Sequence, residues 1–191
     1  MHRLFVALRP PPEIRSVLTG LMGGIEGARW QNDNQLHITL AFIGEVDRHT
    51  AEAVAEALDA IRQPALHLQL GQFGTFDTGR PDRTGTLWIG VEDTPSNRRP
   101  RPDPGPLAAL AQSVRQTLRR AGTHPDPRKF TPHITLARFG QSGAPLEALR
   151  PWLTETPAPS ATWQATNFHL VESTLGREGA HHTPVATYAL G

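Results

Sequence analysis

The chain contains no cysteine. That excludes disulfides, thiolate metal sites and a cysteine nucleophile, and it fits a cytoplasmic setting. Long apolar runs are missing too. The N-terminal stretch from Leu4 to Leu8 gives way at once to Arg9 and Pro10, too short for a secretion signal or a membrane span. Charge of one sign is absent: the formal net charge is +1 over 191 residues, so bulk charge announces no polyanion partner. Lysine is nearly absent. Lys129 stands alone, and the other 18 of 19 basic residues are arginine. The planar fork of arginine suits phosphate, although a GC-rich genome, which also raises alanine, glycine and proline, explains the bias more simply.

What is present is an alternation of strand and helix patterns. Leu4–Leu8 reads as a strand, and Pro11-Pro12-Glu13 opens a helix reaching about Gly23, since proline is tolerated in a first helical turn. Leu36–Ile43 reads as a strand. Ala53, Val54, Ala57, Leu58 and Ile61 fall at helical spacing behind Thr50, a candidate N-cap. Strands are predicted over Leu66–Leu70, Thr86–Val91, His133–Phe139, Thr162–Val171 and Pro184–Leu190, with helices over Leu107–Ala121 and, short, over Pro145–Leu153. Between Thr94 and Pro106 the prolines forbid helix or inner strand. Similar elements flank this loop, so residues 1–191 are expected to form one domain of two lobes rather than two domains.

The chain repeats itself. His37-Ile38-Thr39-Leu40-Ala41-Phe42-Ile43-Gly44 returns as His133-Ile134-Thr135-Leu136-Ala137-Arg138-Phe139-Gly140, about half a chain later. On a strand, side chains alternate faces. Ile38 and Leu40 therefore point to a core, with His37, Thr39 and Ala41 on the other face. The second copy predicts the same for Ile134 and Leu136 against His133, Thr135 and Ala137. If a pseudo-two-fold axis relates the lobes, two imidazoles and two hydroxyls face one cleft, with the alanines as its open floor. That set suits displacement at a phosphodiester: one imidazole takes a proton from the nucleophile and the other protonates the leaving oxygen. Thr39 and Thr135 hold the non-bridging oxygens. One His-x-Thr alone means little on a half-exposed strand; packing alone rarely selects it twice.

These residues resemble the two-histidine (2H) phosphoesterase superfamily, and within it the RNA 2′,3′-cyclic phosphodiesterases, also called 2′-5′ RNA ligases. The likeness extends from Arg3-Leu4-Phe5-Val6-Ala7-Leu8 and Pro11, through Asn34 to Val46 and Phe130 to Arg138, to the tail Ser173-Thr174-Leu175, Gly179 and Pro184. It implies an α+β, bilobal, duplicated fold, with two antiparallel sheets lining a central cleft and helices outside. It implies hydrolysis of a 2′,3′-cyclic phosphate to a 2′-phosphate, His37 acting as acid and His133 as base, and the reverse 2′-5′ ligation by the same groups. The implied partners are RNAs with cyclic phosphate ends, tRNA fragments among them. Relatives often carry a tyrosine where this chain has His182, a candidate base contact.

Secondary candidates follow. Strict alternation puts Arg138 on the face opposite His133, yet the resemblance favours a substrate role for it. Phe42, its counterpart, is either core or a wall against a base. Arg80, Arg83, Arg98, Arg99 and Arg101 lie in loops and could grip longer RNA, although a solvated loop is the simpler reading. His67, His124 and His169 read as structural or exposed. His181 and His182 are adjacent on a strand and diverge, and no carboxylate cluster completes a site, so neither metal nor cofactor is expected. No oligomerisation signal is present, and a monomer is the expectation. Three other readings remain open: a non-catalytic RNA- or nucleotide-binding module, a related enzyme acting on small cyclic nucleotides or ADP-ribose cyclic phosphate, and a metal-dependent hydrolase using the histidines as ligands.

Overall fold

A computed structural model describes residues 1–80, 82–94, 105–176 and 179–191. The elements run in order β1 (His2–Leu8), α1 (Pro12–Gly20), β2 (Arg29–Trp30), a 3-10 turn (Asp33–Gln35), β3 (Ile38–Val46), α2 (Arg48–Leu58), β4 (Leu66–Asp77), β5 (Arg83–Asp93), α3 (Pro106–Arg120), β6 (His133–Arg138), β7 (Ala144–Pro145), α4 (Leu146–Glu155), β8 (Thr162–Ala165), β9 (Asn167–Gly176) and β10 (Gly179–Ala189). Proline begins α1 and α3, where its missing N–H costs nothing. Leu107, Leu110, Ala111, Val114 and Leu118 form the buried stripe of α3. The N-cap of α2 is Asp47 rather than Thr50: its carboxylate accepts from the Thr50 N–H at 2.7 Å, and the acid also suits the positive helix end.

All strand pairs are antiparallel, along the path β10-β9-β1-β3-β6-β5-β4-β8, with β2 beside β6 and β7 beside β5. Two half-sheets, β10-β9-β1-β3 and β6-β5-β4-β8, meet where Ile38 pairs with Ile134. The seam of the molecule is therefore the residue after each repeated histidine. Behind the sheet, Val6, Leu8, Ile38, Leu40, Ile89, Ile134 and Leu136 join the buried faces of the four helices in one cluster. The other face carries a small buried apolar group of Phe5, Ala7 and Val171.

The predicted strand over Thr162–Val171 is two strands. β8 pairs with β4 in one half-sheet, and β9 pairs with β1 in the other. Trp163 and Ala165 are buried, then Phe168 and Leu170; the alternation slips by one at Thr166, where the chain changes lobes. β4 also runs beyond Leu70 to Asp77, with an irregular register between Leu70 and Phe73. The proline-rich loop falls largely outside the described residues, with Arg98, Arg99 and Arg101. At its two ends the Leu107 N–H donates to an Asp93 carboxylate oxygen at 3.0 Å, which starts α3 from the end of β5.

Candidate active site

The face predictions hold for His37, Thr39, His133 and Thr135 and fail for the two alanines. Opposite β3, Ala7 pairs with Thr39 but Val6 with Ala41, leaving Leu40 as an extra residue. Opposite β6, Trp88 pairs with Thr135 but Leu87 with Ala137, leaving Leu136 extra. Each repeat thus carries a bulge at the same place, and a bulge shifts the alternation by one. Ala41 and Ala137 turn to the core, at 3 % and 0 % exposure, although Ala41 still borders the cleft. The fourth residue after Thr39 and Thr135, counting inclusively, turns to the cleft instead. Phe42 is 46 % exposed there, and Arg138 lines the same cavity as both histidines. Arg138 therefore does not lie on the face opposite His133.

The cavity measures about 520 Å³, and its walls include His37, Thr39, Phe42, His133, Thr135 and Arg138. Both imidazoles are held alike. His37 Nδ1 lies 2.7 Å from the Gln35 carbonyl oxygen, and His133 Nδ1 lies 2.6 Å from the Thr131 carbonyl oxygen. A carbonyl only accepts, so each Nδ1 carries the proton and each Nε2 keeps its lone pair for the cleft. Gln35 is itself fixed. It exchanges hydrogen bonds with Asn32 in a capping box, and its side-chain amide donates to the Ala180 carbonyl at 2.7 Å.

The ring neighbours differ. His37 meets Phe5 at 4.9 Å and His182 at 5.0 Å between centroids. His133 meets Phe76 at 4.9 Å and Trp88 at 5.7 Å. Burial, then the charge of a protonated His182, pushes His37 down to a pKa of about 3; Arg138 and His133 add to this, and the Gln35 carbonyl opposes it. Burial also lowers His133, with Arg138 adding and the Thr131 carbonyl opposing. Burial thus keeps both rings neutral at pH 7 until an anion binds. Burial, and then the neighbouring Arg29, likewise lowers Arg138. Among the described residues neither Arg138 nor the Thr39 and Thr135 hydroxyls form a side-chain hydrogen bond or ion pair. A cavity with free Nε2 atoms, free hydroxyls and an unpaired guanidinium is built to receive an anion.

His182 lies beside this cavity, in a smaller hollow shared with His37, Phe5, Arg9 and His169. His169 bonds the Thr187 hydroxyl at 2.9 Å, the structural role expected of it. Arg83 donates to the carbonyls of Ser142 and Gly143, so it fastens the loop after β6 instead of waiting for RNA. Arg80 is exposed. Sequence reasoning missed Phe5, Phe76, Trp88 and Arg115, and it missed Lys129 at the cavity wall, although a lone lysine just before the second motif was a signal. Among the described residues, no three His, Asp or Glu side chains converge as a metal site, and no helix is long and apolar enough to cross a membrane.

The chain is similar to known proteins over nearly its whole length. It is 31 % identical over 194 residues to the RNA 2′,3′-cyclic phosphodiesterase of Escherichia coli K12, covering 99 % of this chain and 97 % of that one. It is 32 % identical over 148 residues, 77 % of each chain, to the protein of that name from Aeropyrum pernix. The crystal structure of E. coli LigT complexed with 3′-AMP superposes with a TM-score of 0.74 at 29 % identity, covering 99 % of this chain and 98 % of that one. Residues 10–177 match the 2′-5′ RNA ligase superfamily. By this match, and by the twin motifs at one cavity, the chain belongs to the 2′-5′ RNA ligase superfamily.

Proposed function

We infer that the protein is an RNA 2′,3′-cyclic phosphodiesterase, opening a ribose 2′,3′-cyclic phosphate at an RNA end to a 2′-phosphate. The observation that carries this is the matched pair of imidazoles, each anchored through Nδ1 to a carbonyl two residues back, with both Nε2 atoms free at one anion-ready cavity. The names of the relatives support it, and the E. coli structure holds an adenosine monophosphate.

In the proposed reaction the cyclic phosphate sits between the rings, its non-bridging oxygens bonded by the Thr39 and Thr135 hydroxyls and by Arg138. The anion favours imidazolium, so one ring takes up a proton as substrate binds. The neutral ring, assigned to His133, accepts a proton from water as its oxygen attacks phosphorus. The bond from phosphorus to the 3′-oxygen breaks, and the charged ring, assigned to His37, gives that oxygen its proton. A 5′-hydroxyl attacking in place of water leaves a 2′-5′ bond. Phe42 walls the cleft, and His182 stands where a base can stack. The whole chain, residues 1–191, is taken as one catalytic unit, since one buried cluster underlies both half-sheets. A monomer acting in the cytoplasm, with tRNA fragments as natural substrates, belongs to the same proposal. A binding module has no use for two free Nε2 atoms on opposed strands.

The test is an oligonucleotide with a 2′,3′-cyclic phosphate end, incubated in chelator with wild type, His37→Ala and His133→Ala. The wild type opens the ring to a 2′-phosphate, and each variant loses at least ~10²-fold, the usual worth of a general acid or base. A wild type that binds the oligonucleotide without opening it refutes the proposed chemistry.

A further inference from the structure

β2 is only two residues long, and its register is informative. Trp30 pairs with Ala137, and Arg29 pairs directly with Arg138. Trp30 packs on the core side, 5.9 Å from the Trp152 ring, where Ala137 is also buried. Directly paired residues share a face, so Arg29 lies on the cleft face beside Arg138.

Like charges opposed across an antiparallel pair destabilise it. Arg9, Arg15, Arg48, Arg128 and Arg150 each pair with a carboxylate. Among the described residues, Arg29 and Arg138 form no such pair. Burial, and then the charge of Arg29, lowers the pKa of Arg138. An anion bound between the two guanidinium groups would offset that repulsion. One cyclic phosphate brings a single negative charge, and Arg138, on the strand that begins with His133, is placed for it. Arg29 stands one strand further out, at the far end of β6, and is left for a second anion.

We propose that Arg29, beside Arg138, forms a subsite for the phosphodiester one nucleotide upstream of the cyclic end. The subsite rests on the functional reading above and narrows its substrate class: the protein selects RNA strands with cyclic ends over cyclic mononucleotides, because only a strand carries the second charge.

The test compares a cyclic-ended trinucleotide with a 2′,3′-cyclic mononucleotide on wild type, Arg29→Gln and Arg29→Lys. Arg29→Gln raises KM for the trinucleotide about tenfold, as expected for one lost charge-assisted contact, and leaves kcat for it and both constants for the mononucleotide within twofold. Arg29→Lys restores most of the loss. The salt slope of trinucleotide binding falls by about 0.7, the contribution of one single-strand phosphate. An equal rise in KM for both substrates, or none for either, overturns the subsite. Equilibrium binding of the trinucleotide ending in 2′-phosphate reads the same contact without turnover: weaker binding by Arg29→Gln supports the subsite, and unchanged binding overturns it. Absence of ring opening with that binding difference intact refutes only the functional reading.

Discussion

Gly74 shows how the second half-sheet aims His133. Gly74 on β4 pairs with Trp88 on β5, and a Cβ at this glycine would lie 2.2 Å from the far atoms of the indole. The ring would have to retreat by about 1.2 Å to reach ordinary contact. Trp88 stands 5.7 Å from the His133 ring and 5.2 Å from Phe76, itself 4.9 Å from His133. Displacing the indole therefore pushes on both rings that bracket the imidazole. Overpacking of this kind costs ~1–3 kcal/mol of stability, and a displacement near 1 Å at a reacting group costs up to ~10²-fold in rate. Gly74→Ala is expected to lower kcat on a cyclic-ended oligonucleotide ten- to a hundredfold, with little change in KM. Gly71→Ala on the same strand is the control, because its Cβ would meet only the far end of the Glu92 side chain, at 3.2 Å. The double change Gly74→Ala with Trp88→Phe removes the colliding atoms and is expected to recover most of the activity. A Gly74→Ala protein with wild-type kcat and melting temperature would show that Trp88 does not hold His133 in place.

Two further outcomes follow from the same geometry. A substrate whose ribose 3′-oxygen is replaced by sulfur expels a thiolate, a leaving group of pKa near ~8.5 that needs no acid. On it the alanine variant of the acid, assigned to His37, is expected to regain activity to within about tenfold of wild type, whereas His133→Ala stays inactive; the opposite pattern exchanges the two roles. In the fold, His37 has its pKa pushed from 6.5 down to about 3, so the unfolded chain binds the extra proton, and stability falls as pH drops from about 6.5 towards 3. Between pH 7 and 5.5 that one group costs about 1 kcal/mol. Urea melts of wild type should lose more stability over this interval than those of His37→Gln, and parallel losses would show that His37 is not held neutral.

The catalytic face was legible because duplication is a signal that packing does not produce. Period two placed His37, Thr39, His133 and Thr135 correctly, since they precede the bulges. It failed one residue later. Nothing in Leu40 or Leu136 marks a bulge; both are ordinary buried leucines, and the extra residue shows only against the registers of β1 and β5. The sequence therefore put Arg138 on the wrong face and left Phe42 undecided, while giving the cleft two alanines that belong to the core. The change of lobe at Thr166 was missed, although the apolar positions slip phase there, from Trp163 and Ala165 to Phe168 and Leu170. Arg29 was not readable: its meaning depends on a two-residue strand whose partner lies more than a hundred positions away.

The two histidines share a tautomer and an anchor, so their division of labour must come from what surrounds them. Before substrate binds neither ring is charged at neutral pH, and no acid is ready. The anion supplies the missing condition, because a cyclic phosphate near both Nε2 atoms favours one imidazolium. The ring with the weaker hold on its proton then parts with it more readily as the leaving oxygen gains charge, and the ring with the stronger hold is the better acceptor from water. The deeper burial of His37, and then the His182 ring beside it, set that difference, for His133 stands between Phe76 and Trp88. The weaker base is His37, so the first proton taken up goes preferentially to His133, and the acid role of His37 rests on the family resemblance rather than on these electrostatics. The symmetric repeat builds the site, and the unsymmetric neighbours make its two rings unequal bases.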